Sequence, residues 1–411
     1  MTTGQGLDLG FISLPMFRLL ILVGIARVII KGEHISGRFN SIDRVILLWA
    51  AWYLFSSFFH DWNLDAGPIY VCGIIYNMLG FYFLVRVWCS DLDDTKDIIK
   101  FIAILLIPVA VSMLGEKFFA KNLFSYFGGV QDYLIIREGK IRAQGPFLHP
   151  ILAGTVGATC IPLFIGILKE AKTIATVGII AALTMVFASA SSGPIMSLMA
   201  AIFALLIWRY RDHTRKMWIG AIIGYVVLML VMERPPYYLI SKIDLSGGST
   251  GWHRSFLIDQ TLHFFREWWL FGTDHTRHWM PLQGTAASPT HTDITNYYIS
   301  FAVGGGLLSL LLIVKVILQC FGWVGKIWKH IYDERPDNAL MIWCVGCALF
   351  SHVVTSISVS YFDQSVFFFW LNVALISSMY SSVTDNDYTE KDMELPNASE
   401  ASNPLLRQVS H

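Results

Sequence analysis

Apolar runs of membrane-spanning length alternate with short polar connections along most of this chain, and two longer polar excursions interrupt the rhythm. A spanning helix needs about 20 mainly apolar residues. By that measure, runs starting near residues 11, 42, 67, 98, 149, 172, 193, 217, 297, 338 and 365 predict about eleven transmembrane helices (10–12), the one over 193–208 being the shortest. The excursions cover 116–148 and 233–295, and TLHFFREWWLF in the second predicts an amphipathic helix lying on the bilayer. The pattern predicts an all-α polytopic membrane domain over 1–383. Residues 384–411 are polar, lack apolar periodicity and read as a disordered tail. No internal repeat is visible, which weighs against an inverted-repeat transporter.

Composition agrees: 55% of residues are hydrophobic and 15% charged, against about 25% charged in soluble domains. The formal net charge is zero, so nothing points to nucleic acid. Charge placement is more informative. Arg209, Arg211, Arg215 and Lys216 share one short loop, and Lys326, Lys329 and Arg335 another. Lys31, Arg38 and Arg44, and then Lys169 and Lys172, fit the same alternation. Short basic loops stay cytoplasmic, so the N-terminus is expected outside, the C-terminus inside, and both excursions on the outer face. The first apolar run carries Arg18 and Arg27 and has no charged segment before it, so no cleavable signal is expected. The six cysteines lie in or beside apolar runs and are expected to pack as small hydrophobes, the Cys344–Cys347 pair included.

Both excursions are basic. The first holds Lys117, Lys121, Arg137, Lys140 and Arg142, and the second Arg234, Lys242, Arg254, Arg266 and Arg277. These are either solvated and headgroup-facing, or they line a cavity for an anionic substrate. Arg18 and Arg86 fall inside spanning runs; Arg18 is a cavity candidate, and Arg86 is expected to snorkel. Thr290 or Thr292, after Pro289, is expected to cap the next helix and so to place His291 at its positive end, where a neutral ring could accept a proton. His149, followed by Pro150, follows the same logic, and Asp293 and Asp274 are rival bases if buried. The plain alternative is that these are capping or surface residues. Trp252, Trp268, Trp269 and Trp279 either stack on sugars or form an interfacial belt, the belt being favoured for Trp268 and Trp269. His275 and His278 have helical metal-ligand spacing but no companion motif, so no metal is expected. Gly304, Gly305 and Gly306 are expected to let helices approach closely.

Three stretches, REGKIRAQGPFLHPILAGTVG, TGWHRSFLIDQTLHFFREWWLFGTD and PTHTDITNYYISFAVGGGLLSLLL, occur in this order. Together they resemble the O-antigen ligase and polysaccharide polymerase superfamily of bacterial inner membranes. The resemblance is closest to exopolysaccharide polymerase-like members, whose early chain is similar to FRLLILVGIARVIIKGE and FYFLVRVWCSD. It implies a C-type glycosyltransferase-like helical fold that uses no metal, nucleotide sugar or other cofactor. Its members transfer glycans from undecaprenyl diphosphate, with outer-face arginines on the diphosphate and a loop histidine as base.

Residue by residue, Arg254 stands where the family's loop arginine is expected, after Gly247, Gly248 and Gly251. SASSGP at 189–194 resembles the family's Ser-Ser-Arg-Gly turn without its arginine, so Arg142 or Arg137 is expected to supply that charge. The ligases' His-Asn pair is Thr295-Asn296 here, and the nearest histidine is His291. The resemblance thus implies a polymerase, with a ligase as the alternative and a lipid-linked glycan flippase as the rival from another class. Arg254, Arg142, Arg137 and Arg18 are the expected diphosphate ligands. His291, Asp293 and His149 are the expected acceptor-activating groups, and Trp252, Asp274, Asn296 and Tyr297 the glycan contacts. Undecaprenyl-diphosphate-linked glycan, the bilayer, a chain-length regulator and other glycan-assembly proteins are the implied partners.

Overall fold

The computed structural model describes residues 2, 4–8, 13–61, 67–242, 251–280, 290–333 and 335–394. Gly247, Gly248, Pro289 and 395–411 lie outside the described residues. Eight helices precede the second excursion: α1 (Met16–Lys31), α2 (Ser41–Ser57), α3 (Gly67–Trp88), α4 (Leu92–Phe119), α5 (Pro150–Gly166), α6 (Lys172–Ser189), α7 (Ser192–Leu206) and α8 (Thr214–Val231). The excursion contains α9 (Gly251–His263) and α10 (Phe265–Trp268). After it come α11 (Tyr297–Ile331), α12 (Pro336–Thr355) and α13 (Val366–Glu394). The described strands form two short hairpins, β1 (Gly6–Asp8) with β2 (Ser13–Pro15) and β3 (Ile136–Arg137) with β4 (Lys140–Ile141).

Every expected apolar run has become a helix. Among the described residues, seven helices are long and apolar enough to cross a membrane, taking 192–231 as one, and Pro150–Gly166 is a shorter apolar helix. Two starts differ from the hydropathy pattern. β2 occupies 13–15, so α1 begins at Met16 rather than near 11. Asp91 accepts hydrogen bonds from Asp93 N and Asp94 N, which starts α4 at Leu92, ahead of the apolar run expected near 98. α13 continues to Glu394, beyond the expected boundary at 383.

The bundle packs around Trp49 of α2, whose ring meets Phe301 of α11 at 5.7 Å and Trp370 of α13 at 5.8 Å. α5 is buried over nearly its whole length, whereas α8 buries none of its residues. The second excursion has its own small core of Leu257, Trp268, Trp279 and Met280 against Ile299 and Ala302 of α11. Trp268 is therefore packed inside this core, with Nε1 donating to Thr261 O at 2.8 Å, and is not a belt residue; Trp269 is exposed.

The three glycines of α11 do more than permit close packing. Gly305 and Gly306 break the helix, Gly306 at φ 72°, where a side chain would also collide with Leu270 O. A continuous helix would bond Leu307 N to Val303 O. Instead Leu307 N donates to Trp269 O at 2.8 Å and Val303 O accepts from Thr273 N at 2.8 Å, while Trp52 Nε1 takes Gly305 O at 2.7 Å. The excursion's own backbone thus fills the break, which a lipid-facing helix could not leave open.

At the opposite end of the bundle, Arg86 is fully buried instead of snorkelling. Its guanidinium contacts Asp43 at 3.2 Å and reaches Ser378, Ser381 and Arg38 O. Tyr82 also donates to Asp43, and Asn40 caps α2 through a reciprocal box with Asp43.

Candidate functional site

The site is built from the first excursion. Glu138 (φ 50°) and Gly139 (φ 71°) make a tight two-residue turn joining β3 to β4, and Arg142 N extends the ladder to Ile135 O at 2.9 Å. The chain then crosses the bundle, held by side chains from three elements. Glu116 of α4 accepts from Gln144 N and Gly145 N. Asn122 donates to Gly145 O. Gln364 donates to Pro146 O and Asp363 accepts from Leu148 N, both from the loop between α12 and α13. Burial raises the Asp363 carboxyl above the usual carboxylate range, against the pull of these N–H donors. The strand of chain ends at His149, which caps α5 by accepting from Ile151 N at 3.1 Å, with Pro150 in the first helical position.

This route carries Arg142 to the turn between α6 and α7. Its Nε and one terminal nitrogen reach Ser191 Oγ at 3.2 and 2.7 Å, and Ser191 in turn donates to Ser189 O. Ala143 N also bonds Ala188 O. SASSGP, which lacks an arginine of its own, thus has Arg142 of the first excursion against it in space. Arg254, on α9, completes the group. Arg142 and Arg254 are each only 6% exposed, and Arg137 is half-buried.

The charges are close enough to perturb one another. Burial, then Arg137 and Arg254, lower Arg142 to about 10, so it is still cationic at neutral pH. Burial and Arg137 lower Arg254. Burial, then Arg142, Arg137 and Arg254, push His149 down to about 4. Among the described residues, no carboxylate lies within ion-pair distance of these three arginines, and Arg254 Nε is buried without a partner. The N-terminus of α5 begins at His149 and that of α7 at Ser191, which Arg142 reaches, so two positive helix ends adjoin this cationic group.

The other expected residues are placed differently. Asn296, not Thr290 or Thr292, caps α11, accepting from Tyr298 N and Ile299 N, and its amide donates to Ile357 O. His291 therefore precedes the helix by more than a turn, beyond the reach of its dipole. It is exposed, as is Asp293, on a segment fixed by Thr292 N to Thr276 Oγ1. Asp293 O lies 3.3 Å from His253 Nε2, next to Arg254 in sequence, so this segment adjoins α9. Tyr297 is buried against Tyr361. Trp252 is exposed and stacks on Phe256. Arg18 donates to Asn77 on α3 and covers Gly73. Asp274 bonds His60 Nδ1 at 2.8 Å, with His60 Nε2 at 2.7 Å from Phe271 O, pinning the second excursion to the end of α2. His275 and His278 turn to different carboxylates, Asp61 and Glu267. The residues missed in the sequence are the supports Glu116, Asp363 and Gln364, while Ser191 was seen only as part of SASSGP. Of the missed ones, Asp363 and Gln364 had a visible signal, as a polar pair in a short loop between apolar runs.

No curated protein matches the chain. Residues 177–314, from within α6 through the broken part of α11, match the family model described as O-antigen ligase. That match takes in Arg254, His291, Asp293 and Asn296, and leaves Arg137, Arg142 and His149 outside it. The chain is thus a multi-pass membrane protein carrying a segment similar to the O-antigen ligase and polymerase superfamily.

Proposed function

We propose that this protein is a polysaccharide polymerase of the bacterial inner membrane, joining glycans carried on undecaprenyl diphosphate at the outer face. The observation that carries the reading is the set of Arg137, Arg142 and Arg254, two of them buried, with no carboxylate to neutralise them among the described residues. Buried cations are normally paired, and arginine's planar fork suits the paired oxygens of a diphosphate.

In the proposed reaction the acceptor hydroxyl oxygen attacks the anomeric carbon as the bond from that carbon to the diphosphate oxygen breaks. The bonding electrons leave with the diphosphate, whose added charge the arginines meet, and the hydroxyl proton passes to a base. Backside attack inverts the anomeric centre. Diphosphate is a good leaving group once neutralised, so neither a general acid nor a metal is invoked. His291 is the base in this reading; Asp293, exposed rather than buried, lacks the burial that would make its carboxylate a rival. His291 lies on the exposed segment beside α9, where an acceptor can enter from solvent.

The lack of a His-Asn pair before α11 favours a polymerase; the description of the matching family favours a ligase. Purified protein in liposomes, given short polyprenyl-diphosphate-linked repeats, separates the readings. Longer lipid-linked chains mean polymerase, and transfer only to an added lipid core means ligase. Movement across the bilayer with no new bond would replace both with a flippase.

A further inference from the structure

The hydrogen bond that caps α5 fixes which nitrogen of His149 carries the ring proton. A backbone N–H can only donate, so the Nδ1 that Ile151 N approaches at 3.1 Å holds a lone pair. A neutral imidazole has one N–H, which must then lie on Nε2, at the far edge of the ring from the helix. Nε2 takes no hydrogen bond from the described protein. The charged groups facing the ring are Arg137 and Arg142 from its own excursion and Arg254 from α9, all cationic. Asp363, which reaches this loop from between α12 and α13, has its two oxygens on Leu148 N and Ser365 N. A ring in such surroundings gains nothing by accepting a second proton, and its one lone pair is already in use.

We infer that His149 is not an acceptor-activating base but a neutral donor, whose Nε2–H binds an anionic oxygen of the substrate beside Arg142 and Arg254. This rests on the diphosphate reading of the site and extends it. The site then holds an anion by two kinds of contact, charged forks from the arginines and an uncharged N–H fixed in direction by the cap. A histidine suits this place because one ring both terminates the helix and presents a donor. Serine or aspartate would cap the helix without reaching across.

The test has two parts. The first uses nitrogen-15 NMR of ring-labelled, detergent-purified full-length protein without ligand, with the signal assigned by its absence in His149→Asn. The Nε2–H tautomer is expected, unchanged between about pH 5.5 and about pH 8. An Nδ1–H ring, or a ring that protonates near its ordinary value, overturns the inference whatever the substrate is. The second part measures binding of inorganic pyrophosphate. His149→Ala and His149→Ser are each expected to weaken it about tenfold, as loss of one hydrogen bond to a charged group would, and His149→Asn, which both caps and donates, to recover part of the loss. The ratio of wild-type to His149→Asn affinity should not change with pH, since the ligand's own titration cancels in it. Full recovery by His149→Ser would reduce the residue to a helix cap. A ratio that climbs as pH falls would make it an imidazolium. If the wild type binds no pyrophosphate, the diphosphate reading itself fails, and the NMR spectrum still decides the tautomer independently of it.

Discussion

Two ends of this bundle bury arginines, and they do so in opposite ways. Arg86 has Asp43 at 3.2 Å, two serine hydroxyls and a backbone carbonyl around it, so every part of its guanidinium meets protein. Arg142 and Arg254 are nearly as deep, yet Arg142 donates its hydrogen bonds to one serine and Arg254 Nε has no partner among the described residues. Burying a charge without a counter-ion costs several kcal/mol, on the order of what a whole domain has to spare. A fold that keeps such charges has a use for them in a bound state. Under the proposed reading, the partners alone separate a structural arginine, Arg86, from the two that would hold a ligand.

That contrast can be broken by mutation. The largest effect is expected from Arg254→Ala and Arg142→Ala, which should lower the rate of glycan transfer by about 100-fold to 1,000-fold, measured in liposomes at matched amounts of folded protein. Arg86→Ala should instead act on stability, costing about 3–5 kcal/mol by stranding Asp43. Thermal unfolding in detergent reads this, and a joint Arg86→Met and Asp43→Leu replacement should recover most of it. Gly306→Ala should cost about 1–3 kcal/mol, because its φ of 72° disfavours a side chain and Leu270 O blocks one. Limited proteolysis should find the second excursion loosened.

The smallest effect concerns pH. Burial lowers His60, but its bonds to Asp274 and Phe271 O outweigh that and raise it above the ordinary 6.5. A raised folded-state value means that the protonated ring stabilises the fold. Its contribution is complete below 6.5 and is lost as pH rises through the folded-state value. Hydrogen exchange at 269–274, compared with His60→Gln at each pH, should lose protection on the alkaline side, and the variant should show no such slope.

The helices were legible because a spanning run must be apolar along its length, and hydropathy reads that directly. Arg254 and Arg142 were legible as basic residues in long loops, but their convergence was not, since the turn at 189–191 that receives Arg142 lies more than forty residues away in sequence. The cap of α11 was misplaced because Thr290, Thr292 and Asn296 all suit the role, and only the bonds from Asn296 Oδ1 decide. The break at Gly305 and Gly306 was hidden for a similar reason. A glycine run within an apolar helix reads as close packing until the backbone that fills the gap, 269–273, is seen beside it.

The central claim is that Arg254, which has no counter-ion among the described residues, is held so that substrate can supply one. The most direct measurement is the thermal unfolding of ligand-free Arg254→Met beside Arg86→Met, with transfer activity followed in parallel. The account predicts that Arg254→Met melts at or above the wild-type temperature while losing transfer, and that Arg86→Met melts well below it. Equal destabilisation by both, with transfer by Arg254→Met intact, would contradict it.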